Sequence, residues 1–278
     1  MRDLTTWKIG GPAEYAYWPP DCQNLVEAVK RVKAAGIPLW IIGRGSNLLI
    51  ADQGLPGLTI VCTALKKITW GDYQVSVEAG YSLARLAQEA GERGWSGLEF
   101  ARGIPGTVGG ALIMNAGAYG GEIAQKILEV RVLVDGELKK LKSSDLKFAY
   151  RESSLRGNAL VLEAEFYFEP GDRDQILTTM KNNLAKRIAT QPLDLPNAGS
   201  IFRNPPGDSA GRLLEVAGWK GKNRGGAFVS VKHANFIVNA GGATASDVLS
   251  LMDAIKEDIL GKFGIELHPE VEYLRLRG

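Results

Sequence analysis

The sequence predicts a fold of mixed helices and strands that is not a doubly wound dinucleotide-binding sheet. Three observations predict it. Helical and strand-like periodicities succeed one another along the chain; the loop Gly43-Arg44-Gly45-Ser46-Asn47 runs straight into the apolar stretch beginning at Leu48; and Asp135-Gly136 stands between two alternating segments. The second observation excludes a hydride enzyme of the familiar kind. A GxGxxG fingerprint needs a third glycine and then a helix that aims its amides at a pyrophosphate, whereas here Leu48 fills the third place and a strand follows.

The elements follow in order. Residues 22–36, CQNLVEAVKRVKAAG, place Leu25, Val26, Val29 and Val32 on one helical face and stop at Gly36, so a helix is expected, followed by a short strand in IPLWIIG (37–43). YQVSVEAG (73–80) alternates as a half-buried strand, and SLARLAQEAGERG (82–94) reads as a helix opened by a Ser82 cap. The stretch ARGIPGTVGGALIMNAGAYGGE (101–122) contains seven glycines in twenty-two residues, a density that suits unusual backbone angles or close approach to a ligand. Asp135-Gly136 then predicts a β-hairpin, and ALVLEAEFYFEPGD (159–172) a strand ending at a Pro-Gly turn. An amphipathic stretch at 173–189 leads to QPLDLPNAGSIFRNPPGDSAG (191–211), whose four prolines mark a boundary crossed by a functional loop. A smaller module is expected beyond it: a helix at 211–218, strands near 227–231 and 235–239, a helix at 246–264 with a core stripe of Val248, Met252, Ile255 and Ile259, and a final strand over 265–276.

Composition narrows the function. With 278 residues, 45% hydrophobic and 23% charged, the chain can bury the core of one large domain or two moderate ones. A formal net charge of +2 gives no bulk field to attract nucleic acid or an anionic membrane, so a small-molecule partner is expected. Cys22 and Cys62 form no CxxC pair and support neither a disulfide framework nor a metal site. With no signal pattern and no long apolar run, a cytoplasmic location is expected. HExxH, GxSxG and P-loop motifs are absent, and the only imidazoles are His233 and His268, so the chemistry is expected to belong to a cofactor. Two glycine-rich loops, 43–47 and 103–110, each read as flanked by strands, can offer main-chain N–H groups to a pyrophosphate, and the second can also open a short helix.

The segments KIGGPAEY (8–15), GRGSNLLIAD (43–52), GIPGTVGGALIMNAGAYGGEI (103–123), YRESSL (150–155), AGSIFRNPP (198–206), AGRLLEVAGWKG (210–221), VSVKHANFIVN (229–239) and HPEVEYL (268–274) occur in the order found in the UDP-N-acetylenolpyruvoylglucosamine reductase family. The sequence closely resembles that family from about residue 5 to 275. The resemblance implies an α+β fold: a FAD-binding domain of the vanillyl-alcohol-oxidase (PCMH) type in two subdomains, at 1–57 and 58–190, and a substrate domain at 191–278 whose final strand returns toward the FAD domain. The implied reaction is NADPH-dependent reduction of UDP-N-acetylglucosamine enolpyruvate to UDP-N-acetylmuramate, for peptidoglycan.

Residue by residue, the resemblance implies Ser200 as proton donor, with Arg151 and Glu270 at the other catalytic positions. It implies FAD contacts at Gly43, Arg44, Gly45, Ser46, Asn47 and Leu48, and at Gly103, Ile104, Pro105, Gly106, Thr107, Gly109, Gly110, Asn115 and Gly117. Tyr119, Arg187 and Asn204 match substrate contacts. The chemistry is consistent with these residue types. A serine is a weak acid, but an enolate is a strong base, so a positioned hydroxyl suffices; an arginine fork suits the substrate carboxylate. Glu270 either donates as a protonated acid or orients Arg151 or a water. His233 is expected to be structural. Arg44 stands where the family commonly has glycine, and the spacing before AGSIFRNP leaves no room for the extra substrate-covering loop of one subgroup. With no histidine or cysteine in the glycine loops, the FAD is expected to be non-covalent. Two rivals stay open, a flavin oxidase on the same fold and a sugar-nucleotide-binding protein without chemistry.

Overall fold

The computed structural model describes residues 1–276. The chain forms two compact units, one of residues 16–44 and 58–187, the other of residues 1–15, 45–57 and those from 188 onward. The chain passes from one unit to the other inside the first glycine loop, between Arg44 and Gly45.

The larger unit is built on a five-stranded antiparallel sheet in the order Glu137–Lys142, Ile127–Val134, Leu160–Tyr167, Gln74–Glu78, Ile68–Trp70. Asp135 and Gly136, at φ 51° and 81°, close the first hairpin, with Val134 opposite Glu137. Positive φ at both central residues matches the right-handed twist of the flanking strands, and so the predicted dipeptide turn forms. Helix α1 (Cys22–Ala34) starts where the Asp21 carboxylate accepts from the Asn24 amide, and α2 (Leu83–Glu92) where Ser82 accepts from Arg85. Two more helices follow, α3 (Val108–Ile113) and α4 (Arg173–Thr190).

Helices cover both faces of that sheet. Val75, Val77, Val130, Val132, Ala164 and Phe166 pack with Leu83, Leu86, Leu112 and Met180 in one core, while Leu133 and Leu162 join Cys22, Leu25 and Val29 in a second. A bulge decides which face Leu162 takes. Arg131 lies opposite Glu163 but the next residue, Val132, lies opposite Val161, so Leu162 is an extra residue and the alternation reverses around it. A parallel pair, Leu39–Ile42 beside Leu58–Val61, lies against α1 in the second core.

In the smaller unit, α5 (Ala210–Val216) and α6 (Ala245–Phe263) pack with a three-stranded sheet, Asn223–Arg224, Ala227–Val229 and Ile237–Asn239. Val248, Met252, Ile255 and Ile259 form the predicted stripe and are buried with Trp7, Phe202, Leu213 and Trp219. At the start of α6, Thr244 and Asp247 cap each other, and the Asp52 carboxylate accepts from the amides of Ala245 and Ser246. Negative charge at the positive end of the helix is favourable there. Gly264, at φ 67°, ends it in the left-handed conformation.

Two expectations need correcting. The final strand is short: only Glu272–Leu274 is in a ladder, parallel to Leu48–Ile50. Pro269 has no amide to donate, and the main chain of 268–270 is bound instead to the 201–203 segment. The second glycine loop is not flanked by strands either; a single turn, Glu99–Ala101, precedes it and α3 follows.

Among the described residues no helix is long and apolar enough to cross a membrane. Burial pushes the thiols of Cys22 and Cys62 up to about 12. Neither thiol should react with Ellman's reagent at pH 8 in the native protein, and both should react once it is denatured; fast native labelling would contradict the packing. Ile255→Ala, at a fully buried site, should lower stability by about 2–5 kcal/mol in denaturant unfolding.

Candidate active site

The two glycine loops touch within the larger unit. A Cβ on Gly43 would lie 2.4 Å from Thr107 Oγ1, and one on Gly109 would lie 2.8 Å from the Ala79 Cβ, so both glycines are required by contact between protein segments. The loop 103–110 is also sewn to neighbouring main chain. The amides of Val108 and Gly109 donate to the carbonyls of Tyr81 and Ala79 at 2.9 and 2.8 Å, and the Gly106 carbonyl accepts from Leu83. Thr107 caps α3, its Oγ1 accepting from the Gly110 amide at 3.3 Å.

Whether these loops fit a flavin dinucleotide turns on the donors left over. Among the described residues the amides of Gly106 and Thr107 have no acceptor, and the exposed Arg44 forms no ion pair. Two main-chain donors at the Gly43–Thr107 contact and a guanidinium on the residue that follows Gly43 are a donor set suited to a pyrophosphate, with no metal needed. The residues present therefore fit the group. Ile104, Pro105 and Gly110 lie on the same loop, with Pro105 and Gly110 exposed. Gly103 lies under α4: a Cβ there would come within 2.9 Å of Arg187 Cδ.

Arg151 and Asn115 are linked. Arg151 sits in the turn of a small hairpin, Phe148–Ala149 with Glu152–Ser153, at φ 59°, and its Nη2 donates to the Gly117 carbonyl at 3.0 Å. Asn115, also at positive φ, is 1% exposed, and its Nδ2 donates to Glu122 Oε2 at 2.9 Å and to the Ala149 carbonyl at 3.0 Å. Ser153 Oγ donates to the Ile113 carbonyl at 2.8 Å. The amide of Asn115 is thus spent inside the protein, fastening the Arg151 hairpin to the 113–122 segment. Left-handed angles at bulky residues are costly and persist only where surroundings impose them, and Tyr119, at φ 53°, is a third case here.

Tyr119 donates from its hydroxyl to the Asn183 carbonyl at 3.0 Å. Arg187, in the last turn of α4, has its pKa lowered because burial disfavours the charged guanidinium, with Tyr119 acting weakly in the opposite direction. Among the described residues it has no carboxylate partner. A cation drawn from water without a counter-charge is a strong candidate for holding an anion.

In the smaller unit the segments of Ser200 and Glu270 are joined. The Glu270 amide donates to the Ile201 carbonyl at 2.7 Å, and the Arg203 amide to the His268 carbonyl at 2.9 Å. Ser200 is half-buried, and its hydroxyl makes no hydrogen bond among the described residues. Asn47 reaches the same place: its Nδ2 donates to the Glu270 carbonyl at 2.9 Å while its own carbonyl accepts from Glu272. Gly45, at φ 62°, lies against the Leu4 carbonyl, Ser46 lies between it and Asn47, and Leu48 begins the strand paired with Glu272. Asn204 is exposed, and its Oδ1 accepts from the Ala210 amide at the start of α5.

Sequence reasoning missed two asparagines. Asn197 organises the turn before Ser200, accepting from the Gly199 amide and donating to the carbonyls of Pro192 and Leu195. Asn235 is buried against Phe202. An asparagine amid apolar strand residues in VKHANFIVN was the available signal, because a buried amide must be satisfied somewhere. His233 Nδ1 accepts from the Asn235 amide at 3.2 Å, and burial lowers its pKa, so the neutral ring serves as an acceptor.

Similarity to known proteins points the same way. Residues 191–274 match the model of the UDP-N-acetylenolpyruvoylglucosamine reductase C-terminal domain, and residues 13–142 that of an FAD binding domain. The chain is 46% identical over 275 residues to UDP-N-acetylenolpyruvoylglucosamine reductase 2 of Symbiobacterium thermophilum, covering 98% of this chain and 89% of that protein. It is 47% identical over 278 residues to the corresponding reductase of Bacillus licheniformis, covering 99% and 92%. The crystal structure of UDP-N-acetylenolpyruvylglucosamine reductase from Thermus caldophilus superposes with a TM-score of 0.85 at 36% identity, over 99% of this chain and 97% of that one. With glycine loops whose donors fit a flavin dinucleotide and relatives alike over nearly its whole length, this chain is a flavoprotein oxidoreductase that belongs to the UDP-N-acetylenolpyruvoylglucosamine reductase family.

Proposed function

We propose that this protein reduces UDP-N-acetylglucosamine enolpyruvate to UDP-N-acetylmuramate at the expense of NADPH, in the cytoplasm, as a step in making peptidoglycan precursor. The observation that carries this reading is the uncommitted hydroxyl of Ser200 on a segment whose main chain is paired with that of Glu270. Bound FAD would supply hydride chemistry, accepting from NADPH and delivering to the carbon–carbon double bond.

The chain's own residues do the rest. The amides of Gly106 and Thr107, with Arg44, would hold the pyrophosphate; Gly43 allows the two loops to close on one another, and Gly109 lets the second loop seat against Ala79. Asn115 contributes by fixing the Arg151 hairpin rather than by touching the cofactor with its side chain. Arg151, anchored on the Gly117 carbonyl, receives the substrate carboxylate and takes up charge as an enolate develops. Ser200 gives its proton to the enolate carbon; its high ordinary pKa is no obstacle because the acceptor is a much stronger base. Glu270 acts with Arg151 in stabilising the enolate. Tyr119, bonded to the Asn183 carbonyl of α4, and Arg187, in the last turn of that helix, bind the sugar nucleotide, with Arg187 drawn to its diphosphate, and Asn204 contacts the substrate from the loop before α5.

Anaerobic half-reactions test the reading. Ser200→Ala should be reduced by NADPH as fast as wild type, while its reoxidation by the enolpyruvyl sugar nucleotide slows by about 10²–10⁴-fold. A wild-type protein reoxidised only by air, or a Ser200→Ala variant reoxidised at the normal rate, would overturn it. Arg187→Ala should raise KM for the sugar nucleotide by about 10–100-fold, in line with loss of a charge-assisted contact, with a smaller effect on kcat. An unchanged KM would remove Arg187 from the substrate site.

A further inference from the structure

The segment that carries Ser200 is held on two edges, and one of those edges is a side chain. On one side the Ile201 carbonyl accepts from Glu270 and the Arg203 amide donates to His268. On the other, Asn235 uses its amide in place of a strand: the Phe202 amide donates to Oδ1 at 3.0 Å and Nδ2 donates to the Phe202 carbonyl at 2.8 Å. The Asn235 carbonyl also accepts from the Ile201 amide at 2.9 Å, and the Asn235 amide donates to His233 Nδ1 at 3.2 Å. Every polar group of Asn235 is therefore engaged, at a residue 2% exposed.

From these contacts we infer that Asn235 is a positioning residue for the Ser200 hydroxyl. The inference rests on the reading of Ser200 as the proton donor. Ser200 is one peptide bond from Ile201 and two from the clamped Phe202, whose ring is fully buried. On its other side stands Gly199, at φ 81° with no heavy atom within 4 Å of where a Cβ would be. That side is a local turn, with the Gly199 amide donating to Asn197 Oδ1 at 3.0 Å, whereas the Phe202 side is tied to segments distant in the chain, and the direction of the Ser200 side chain is set from the Phe202 side. A carboxamide presents an N–H donor and a carbonyl acceptor side by side, and so can satisfy both main-chain groups of one residue without a strand. Leucine has nearly the same shape and neither group, and aspartate keeps the acceptor and loses the donor. A side chain that must deliver a proton loses rate steeply when displaced by about 1 Å, which is why its supporting contacts matter.

The test uses the full-length flavoprotein. Asn235→Leu should load FAD and be reduced by NADPH within about twofold of wild type, yet be reoxidised by UDP-N-acetylglucosamine enolpyruvate about 10²-fold more slowly, with little change in KM. Asn235→Asp serves as the second variant, needed if Asn235→Leu does not fold, and should show the same separation of half-reactions. The decisive comparison is Ser200→Ala with and without Asn235→Leu. If Asn235 acts through Ser200, the double variant is no slower than Ser200→Ala alone. Amide exchange of the peptide spanning 198–204 should also rise in Asn235→Leu, because the Phe202 amide loses its acceptor.

Two results overturn the inference by itself: slowing that multiplies in the double variant, or reduction and reoxidation falling together in the Asn235 variants. Unchanged reoxidation in the Asn235 variants, alongside a slow Ser200→Ala, would overturn it equally. If Ser200→Ala is reoxidised normally, the proton-donor reading has failed instead.

Discussion

The smaller unit turns on a ribbon of main chain, Ile201–Arg203, that is hydrogen-bonded along both edges. A hydroxyl can serve as an acid toward a strong base only if it is held in place, because nothing about its own pKa favours the transfer. The ribbon supplies that constraint. Its two edges come from segments far away in sequence, 233–236 and 268–270, and the Phe202 ring between them is sealed in the core with Trp7 and Leu213. The strand at 272–274 and the loop at 45–48 are tied in through Asn47, which binds the main chain on both sides of Val271. Residues assigned to cofactor and to catalysis thus share one hydrogen-bond framework.

The larger unit solves a different problem. Its site residues lie on loops, and loops are rigid only when their polar groups are spent. The 103–110 loop donates the amides of Ile104, Val108 and Gly109 to neighbouring carbonyls and leaves those of Gly106 and Thr107 without an acceptor among the described residues, at the place where the first loop packs against it. The 113–122 segment spends Asn115, Gly117 and Ile113 on the hairpin that carries Arg151. Left-handed backbone at Asn115, Tyr119 and Arg151 costs about 1–3 kcal/mol each, and the antiparallel sheet with its two cores provides the stability that offsets it. The density of glycine at 101–122 therefore has two causes. Part of it admits neighbouring protein, as at Gly109, and part leaves a main-chain donor without an acceptor among the described residues, as at Gly106.

Much of the fold was legible because local rules set it. Asp135-Gly136 made its hairpin, Ser82 and Gly264 bounded helices, and the stripe on α6 is buried as its spacing required. Local reading failed where a partner decided the outcome. HPEVEYL has strand-like composition, yet Pro269 cannot donate and the ribbon claims the segment's main chain, so the ladder is confined to 272–274. Leu162 continues the alternation in the sequence but lies in the opposite core, because the bulge that turns it depends on the register with the strand beside it.

The sequence by itself determined which residues are present to do chemistry: a serine, an arginine, a glutamate and two glycine loops, in an order shared by one family of reductases. It determined this because motif and spacing are local properties. Tertiary structure alone decided what each group is free to do. Asn115 looks like a ligand contact in sequence and its side chain is consumed inside the protein, as is that of Asn235, whereas Ser200 keeps its hydroxyl and Arg187 is half-buried without a counter-charge. A polar group is available to a ligand only when no nearer partner satisfies it, and partners drawn from segments tens of residues away are fixed by packing, not by periodicity.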